Sequence, residues 1–162
     1  MTAYKYRMPF GIAGDLSRGA GASTVKAEIF GSTPCPTYGI PVKLSAGTVI
    51  PVGLVGDTAP YGFLVRPYPT QSSQDPLGVS TPPTSGIANV MLRGFISVKV
   101  NAGASSIVEG SPVYIRYASG APSTPVGGVE GAAVGATTVA LTNAYFTGPA
   151  DADGNAEVAF NI

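Results

Sequence analysis

The chain of 162 residues contains no histidine, no tryptophan and only one cysteine. Histidine is the usual proton carrier near neutral pH and the commonest metal ligand, so its absence argues against most acid–base and metal chemistry. A serine nucleophile would then need lysine as its base, and the chain has only four lysines. We therefore expect a protein that is not an enzyme and that binds no metal and no cofactor.

Charge is also scarce, with nine basic and nine acidic side chains and a net charge of zero. Strong nucleic-acid binders make about six to ten phosphate contacts, which this chain has too few clustered cations to provide. No run of apolar residues is long enough for a membrane span, and the start has no apolar stretch typical of a signal peptide. We expect no nucleic-acid partner, no membrane partner and synthesis in a cytosol.

The few charges are unevenly distributed. Residues 1–27 carry four basic side chains and one acidic one, a sum of +3, and residues 100–162 carry one basic and five acidic ones, a sum of −4. Unlike charges attract, although salt screens exposed charges beyond about 8–10 Å. The sequence therefore predicts attraction between the two ends of the chain, within one copy or between copies.

The single cysteine, Cys35, lies between Pro34 and Pro36. It has no partner for an intrachain disulfide. No neighbouring cation in the sequence would lower the pKa of its thiol, which favours an inert side chain over a reactive or intermolecular thiol.

What the chain has in abundance is glycine (22), proline (15) and valine, which outnumbers leucine by 17 to 7. Branching at Cβ favours strands, and glycine and proline favour the turns between them. Alternating apolar residues predict strands at 40–44, 48–55, 61–65, 90–100, 113–117, 137–141, 144–146 and 158–162. We predict an all-β fold: a small β-sandwich or barrel, jelly-roll-like, of about eight short strands.

Two prolines and one glycine inside these runs predict local features of the strands. Pro41 and Pro51 lack an amide donor, which predicts edge strands or strand starts for their segments. Gly94 interrupts the strongest alternating run and predicts a bulge or a close approach of another backbone.

The chain divides into a predicted N-terminal arm, residues 1–37, and a β-domain, residues 38–162. Within the domain, residues 67–88 form a long proline-rich loop, either disordered or functional. Near the start, four apolar side chains alternate with Lys5, Arg7 and Pro9 and would share one face of an extended strand: Tyr4, Tyr6, Met8 and Phe10. This face either packs on its own domain or adds as a strand to a neighbouring subunit, and it is our candidate for contact with a partner.

Acidic residues recur in the segment Asp151-Ala-Asp153-Gly-Asn155. Oxygen ligands at alternate positions resemble the start of a calcium loop, but the glycine stands at the fourth rather than the sixth place. The sequence favours a tight turn between two strands at this point.

Three segments resemble a known family: YKYRMPFGIAGDLSR at the start, EGSPVYIRYASG in the middle and NAYFTGPADADGNAEVAFNI at the end. They are similar to the structural cement proteins of tailed bacteriophages, the Gp24-type head cement or decoration family. The resemblance implies a virion protein, made in the bacterial host cytoplasm, that binds the outer surface of the assembled icosahedral head. It implies bridging of major capsid protein subunits in an HK97-type shell, and a homo-oligomer or neighbouring copies on the capsid.

Two other classes fit the composition. A tail-fibre or fimbrial structural module would also be rich in β-structure and poor in charge, although the missing signal peptide argues against fimbrial export. A carbohydrate-binding β-module usually needs exposed aromatic platforms, for which this chain offers only eight tyrosines and six phenylalanines.

Overall fold

The computed structural model describes residues 11–53, 57–67 and 81–162. Within these ranges the chain forms nine strands: β1 (Thr24–Ile29), β2 (Pro41–Ser45), β3 (Thr48–Pro51), β4 (Gly62–Val65), β5 (Ile87–Lys99), β6 (Pro112–Arg116), β7 (Val129–Glu130), β8 (Thr138–Phe146) and β9 (Asn155–Phe160). Three short 3-10 turns, at Ala20–Ala22, Ala104–Ser106 and Gly135–Thr137, are its helical elements there. No helix in the described part of the chain is long and apolar enough to cross a membrane. The predicted all-β fold is confirmed.

Strand β5 organises the sheet. Its first half pairs antiparallel with β1 and with β4, and its second half, Gly94–Lys99, pairs with β9. The strands follow the order β3-β2-β4-β5-β9-β8-β6-β7, with β1 attached to β5 beside this path. All of these pairs are antiparallel, as expected where strands are joined by short turns.

Each half of the sheet curls back on itself. A bridge between Phe30 and Val49 connects the chain after β1 to β3, and a bridge between Val100 and Val129 connects the chain after β5 to β7. Such curling is how a small sheet covers its own edges and encloses a core, as barrels do. The molecule therefore has two curled halves that share β5.

Each half encloses its own apolar cluster, and β4 lies between them. Alternation along β4 directs Phe63 into the cluster of the second half and Leu64 into the cluster of the first, so all four residues of this strand are buried. The Phe63 ring meets Phe160 of β9 edge to face with 5.3 Å between centroids, a favoured aromatic geometry. The valines predicted to form strands thus supply two cores rather than one.

The predictions at Gly94, Pro41 and Pro51 are confirmed. Gly94 has a φ of 137°, and a Cβ there would lie 2.1 Å from Ser23 Oγ, so the backbone before β1 approaches β5 closely at this point. Pro41 is the first residue of β2, and Pro51 ends β3, the terminal strand of the path.

Two of the observed strands were not predicted, and two of the predicted strands form a single strand in the structure. β1 and the two-residue β7 are additional, whereas 137–141 and 144–146 belong to the single strand β8. Within β8, Asn143 adopts a left-handed conformation with φ 57°, which explains why the apolar alternation breaks there.

The described part of the predicted arm, residues 11–37, packs against the rest of the chain. It contains β1, and its residues Phe30 and Cys35 are buried in the cluster of the first half. The prediction of a projecting arm therefore concerns residues 1–10, which lie outside the described residues. Most of the predicted 67–88 loop, residues 68–80, is also outside them, and its last two residues begin β5.

Candidate interaction site

The four candidate contact residues, Tyr4, Tyr6, Met8 and Phe10, lie outside the described residues, so their role stays a prediction. The segment that follows them is anchored along the second half of β5. Ser97 donates its amide to the Asp15 carbonyl at 2.9 Å, and Gly14 donates to the Ser97 carbonyl at 2.8 Å. Gly14 has a φ of 93°, and a Cβ there would lie 2.5 Å from Tyr38 Cβ. Any arm formed by residues 1–10 would therefore start from a fixed base.

Within the described residues, the charge attraction predicted between the ends of the chain is present as the ion pair of Arg18 and Glu157. Arg18 donates from Nη2 to Glu157 Oε2 at 2.7 Å and from Nε to Oε1 at 3.2 Å. Ser17 donates to Glu157 Oε1 at 2.7 Å, and Thr147 donates to Oε2. The guanidinium of Arg18 also lies over the Phe95 ring, 3.6 Å from its centroid. We call these five residues the Glu157 cluster.

The Glu157 carboxylate is buried, and each of its oxygens accepts two hydrogen bonds. Its side chain is 6% exposed, whereas that of Arg18 is 46% exposed. Burial alone would raise the pKa of Glu157, but the hydrogen bonds from Arg18, Thr147 and Ser17 outweigh it and lower the pKa to about 2. A carboxylate with such a low pKa is a poor general base. The arrangement is suited to fastening the N-terminal segment to β9.

A second ion pair lies inside the second half of the sheet. Arg116 of β6 donates from Nε to Glu130 Oε1 of β7 at 2.6 Å, and both residues are buried. Arg116 also donates to Thr137 Oγ1 at 3.3 Å. Because β6 and β7 are hydrogen-bonded neighbours, the pair fixes the short strand β7 against the core. The charge distribution predicted attraction only between the two ends of the chain. It did not indicate this pair, because both residues belong to the C-terminal part.

The acidic segment at 151–155 forms the tight turn that the sequence favours. Asp151 Oδ1 accepts from the amides of Asp153 at 2.9 Å and Asn155 at 2.8 Å, and Gly154 has a φ of 75°. Asp151 thus satisfies the backbone of the loop between β8 and β9, as Asp commonly does in turns. In the described ranges, no group of three or more acidic or cysteine side chains could hold a metal ion.

Cys35 is buried, and burial raises the pKa of its thiol to about 11. Only a minute fraction is then thiolate near neutral pH, the form that reacts. This agrees with the interpretation of Cys35 as an inert core residue.

An exposed apolar pair lies on one side of β1 and β5. Ile29 and Ile87 are direct cross-strand partners on this side and are 63% and 71% exposed. Val25, four pairs along the ladder, lies on the same side of β1 and is 41% exposed. Nothing in the sequence marked this surface, because β1 itself was not predicted.

Among the depressions of the described surface, two are open and of similar size. One, of about 490 Å³, is lined mainly by proline and valine side chains beside β3. The other, of about 520 Å³, is lined by Asn143, Tyr145, Asn161 and their neighbours.

Comparison with known proteins identifies relatives among phage capsid proteins. Residues 1–160 match the model of the family described as XM1 gp53 minor capsid protein. A chain in the solved structure "The capsid of Myoviridae Phage XM1" has a TM-score of 0.70 and 21% identity, over 98% of this chain and 95% of that chain. At that identity the likeness shows the fold. No curated protein matches the sequence.

Proposed function

Because the chain belongs to the XM1 gp53 minor capsid protein family, we propose that it is a cement protein of the Gp24 type on a tailed-phage head. As a member of a phage capsid protein family it is a structural component of the virion. In this proposal it binds the outer surface of the assembled shell and bridges neighbouring subunits of an HK97-type major capsid protein. The family match over residues 1–160 is the observation that carries the proposal.

The pairing of charged side chains within the chain supports a structural role, in which the shape of the molecule makes the contact with a partner. Four ion pairs within the described residues join basic and acidic side chains to one another: Arg18–Glu157, Lys26–Glu28, Lys43–Asp57 and Arg116–Glu130. Charges paired in this way stabilise the domain rather than bind a small charged substrate. On a symmetric shell, one modest apolar contact repeated many times gives large total stabilisation.

For the contact itself we propose residues 1–10, acting as an arm. The alternation of Tyr4, Tyr6, Met8 and Phe10 gives one apolar face, which is suited to strand addition on a capsid subunit. Aromatic side chains and methionine are enriched at the cores of interfaces. The anchoring of Gly14 on Ser97 would transmit force from such an arm into β5.

An assay with expanded phage heads that lack this protein tests both its binding to the shell and its stabilisation of the head. The full chain should bind saturably, as counted by electron microscopy, and should raise the temperature at which heads rupture. Heads that never become decorated would refute the cement role.

The arm is tested separately by two variants of the full chain. Replacing Tyr4, Tyr6, Met8 and Phe10 by serine should abolish decoration, whereas serine at Lys5 and Arg7, on the opposite face, should leave most of it. Circular dichroism checks that both variants are folded. Full heat protection by the first variant would show that the arm is not the contact, while leaving the cement role intact.

One surface feature favours the carbohydrate-binding alternative. Tyr145 is 38% exposed and lies beside Asn143 and Asn161 in the second depression, an aromatic ring next to amide groups. Glycan-array binding that disappears in Tyr145→Ala, combined with no binding to heads, would favour this alternative.

A further inference from the structure

Arg66, the residue that follows β4, lies beside the segment that leads to residues 1–10. Its amide donates to the Gly14 carbonyl at 2.9 Å, and Gly14 is itself bonded to Ser97 of β5. A Cβ on Gly14 would lie 3.1 Å from Arg66 Cβ and 2.5 Å from Tyr38 Cβ, so the Arg66 side chain begins next to the buried Tyr38. The backbone of Arg66 is therefore fixed at the base of the proposed arm.

The Arg66 side chain has an unsatisfied donor. Within the described residues, its Nη1 is buried and has no hydrogen-bond partner. The four ion pairs of the described ranges do not include Arg66, whereas Arg18 and Arg116 are each held by a glutamate. A buried donor without an acceptor costs free energy, and the cost is larger when the group is charged. A carboxylate that accepted a hydrogen bond from Arg66 would remove this cost.

Three other buried polar atoms in the described residues also lack a partner, but their situation differs. Glu130 and Asp151 each bond through their second carboxylate oxygen, and Ser97 carries no charge. An unsatisfied oxygen on a carboxylate that is already bonded needs no further protein partner. Among these four side chains, Arg66 is the one whose charge calls for a partner of opposite sign.

We propose that Arg66 receives a carboxylate from an acidic side chain of the capsid subunit that the arm contacts, an inference that rests on the proposed capsid role. The Arg66 side chain is partly exposed, so a partner can reach it. Turning the guanidinium toward the partner breaks no internal hydrogen bond of Nη1, because it makes none. A guanidinium is a planar fork that matches the two oxygens of a carboxylate. The arm then supplies apolar contact area, and Arg66 fixes the orientation of the contact.

Arg66→Met separates a binding role from a structural one, because methionine keeps an apolar stem and removes the charge. The free variant should melt at the temperature of the natural chain or higher, since a buried donor without a partner has been removed. Its dissociation constant for expanded heads that lack this protein should rise roughly tenfold or more, as expected for the loss of a hydrogen bond between charged groups. Added salt should weaken binding of the natural chain more than that of the variant, because salt screens the charged contact.

The matched control is Arg93→Met, which removes the same charge from an exposed arginine that belongs to none of the described ion pairs. It should leave the melting temperature and the decoration of heads unchanged. Unchanged affinity of Arg66→Met for heads would overturn this inference and leave the cement role intact. A lower melting temperature of the free Arg66→Met variant would also overturn it, because Arg66 would then stabilise its own domain. If the natural chain never decorated heads, the cement role itself would fail, and this inference with it.

Discussion

The Glu157 cluster makes a quantitative prediction about stability. The change is Glu157→Gln, which keeps the shape of the side chain but removes its charge. The amide nitrogen of the new side chain would face donors that Glu157 now accepts from, those of Arg18 among them. We expect the folded state to lose most of the stabilisation that the carboxylate provides.

The size of the effect follows from the pKa. Glu157 moves from an ordinary value of 4.5 to about 2 in the folded protein. Each pKa unit corresponds to about 1.4 kcal/mol, so the ionised form contributes about 3 kcal/mol at neutral pH. Arg18 is half exposed and regains water when unpaired, so we expect a loss of about 2–3 kcal/mol for the variant.

The sign of the pH dependence is fixed by the direction of the shift. Because the folded pKa is lowered, this stability is fully present above the unfolded value of 4.5 and is lost as the pH falls toward 2. The natural chain should therefore lose stability between these values, whereas Glu157→Gln should lack this component. The two proteins should become similar in stability near pH 2.

Urea unfolding followed by circular dichroism measures both effects, with free energies from linear extrapolation. The control is Glu109→Gln, which removes the same charge from an exposed acidic residue and should change stability little. If Glu157→Gln unfolded at the same urea concentration as the natural chain at pH 7, the reasoning would be refuted. A difference that stayed equally large at pH 2 would also refute it, because it could not come from ionisation.

Two further changes probe the interior. Glu130→Gln leaves the Arg116 charge buried without its counterion and should lower the free energy of unfolding, measured by heat or urea, by about 3–5 kcal/mol. The double variant R116M/E130L should lose less stability, because it leaves no charge unpaired. Equal losses of stability in the single and double variants would contradict an ionic origin. Gly94→Ala should destabilise the fold more than Gly110→Ala, measured by melting temperature, because both glycines have positive φ but only at Gly94 would the added Cβ meet Ser23. Equal losses at the two glycines would mean that Ser23 moves aside at no cost.

Much of the fold was predictable because the signal for a strand is local. Apolar alternation indicated β2, β4, β5, β6 and β9, and each is present near its predicted position. A period of two depends only on neighbouring residues, so it can be detected without knowledge of what the strand packs against. The turn at 151–155 was predictable for the same reason, since Asp151 binds amides two and four residues away.

Strand β1 shows where local signals mislead. Its residues Val25, Ala27 and Ile29 do alternate with Lys26 and Glu28, but glycine and proline on both sides suggested an arm. Its outer apolar residues remain exposed, so burial does not explain the pattern within one copy.

The charge distribution predicted that the two ends of the chain attract each other, but not which residues form ion pairs. The positive start and negative end predicted attraction, and Arg18–Glu157 realises it. The Arg116–Glu130 pair could not be predicted, because it depends on the register between β6 and β7. Strand register is set by packing and turn geometry over the whole sheet, and these are absent from a local pattern.

The amino-acid sequence by itself determined the strand-rich fold, the absence of histidine chemistry and the polarity of charge, since these depend on composition and short-range spacing. Only the tertiary structure decided that the sheet curls into two halves sharing β5, that Glu157 receives four hydrogen bonds, and that Ile29 and Ile87 form one exposed stripe. The physical reason is distance along the chain. Glu157 lies 139 residues from Arg18, and contacts of such separation arise from the pairing of whole strands.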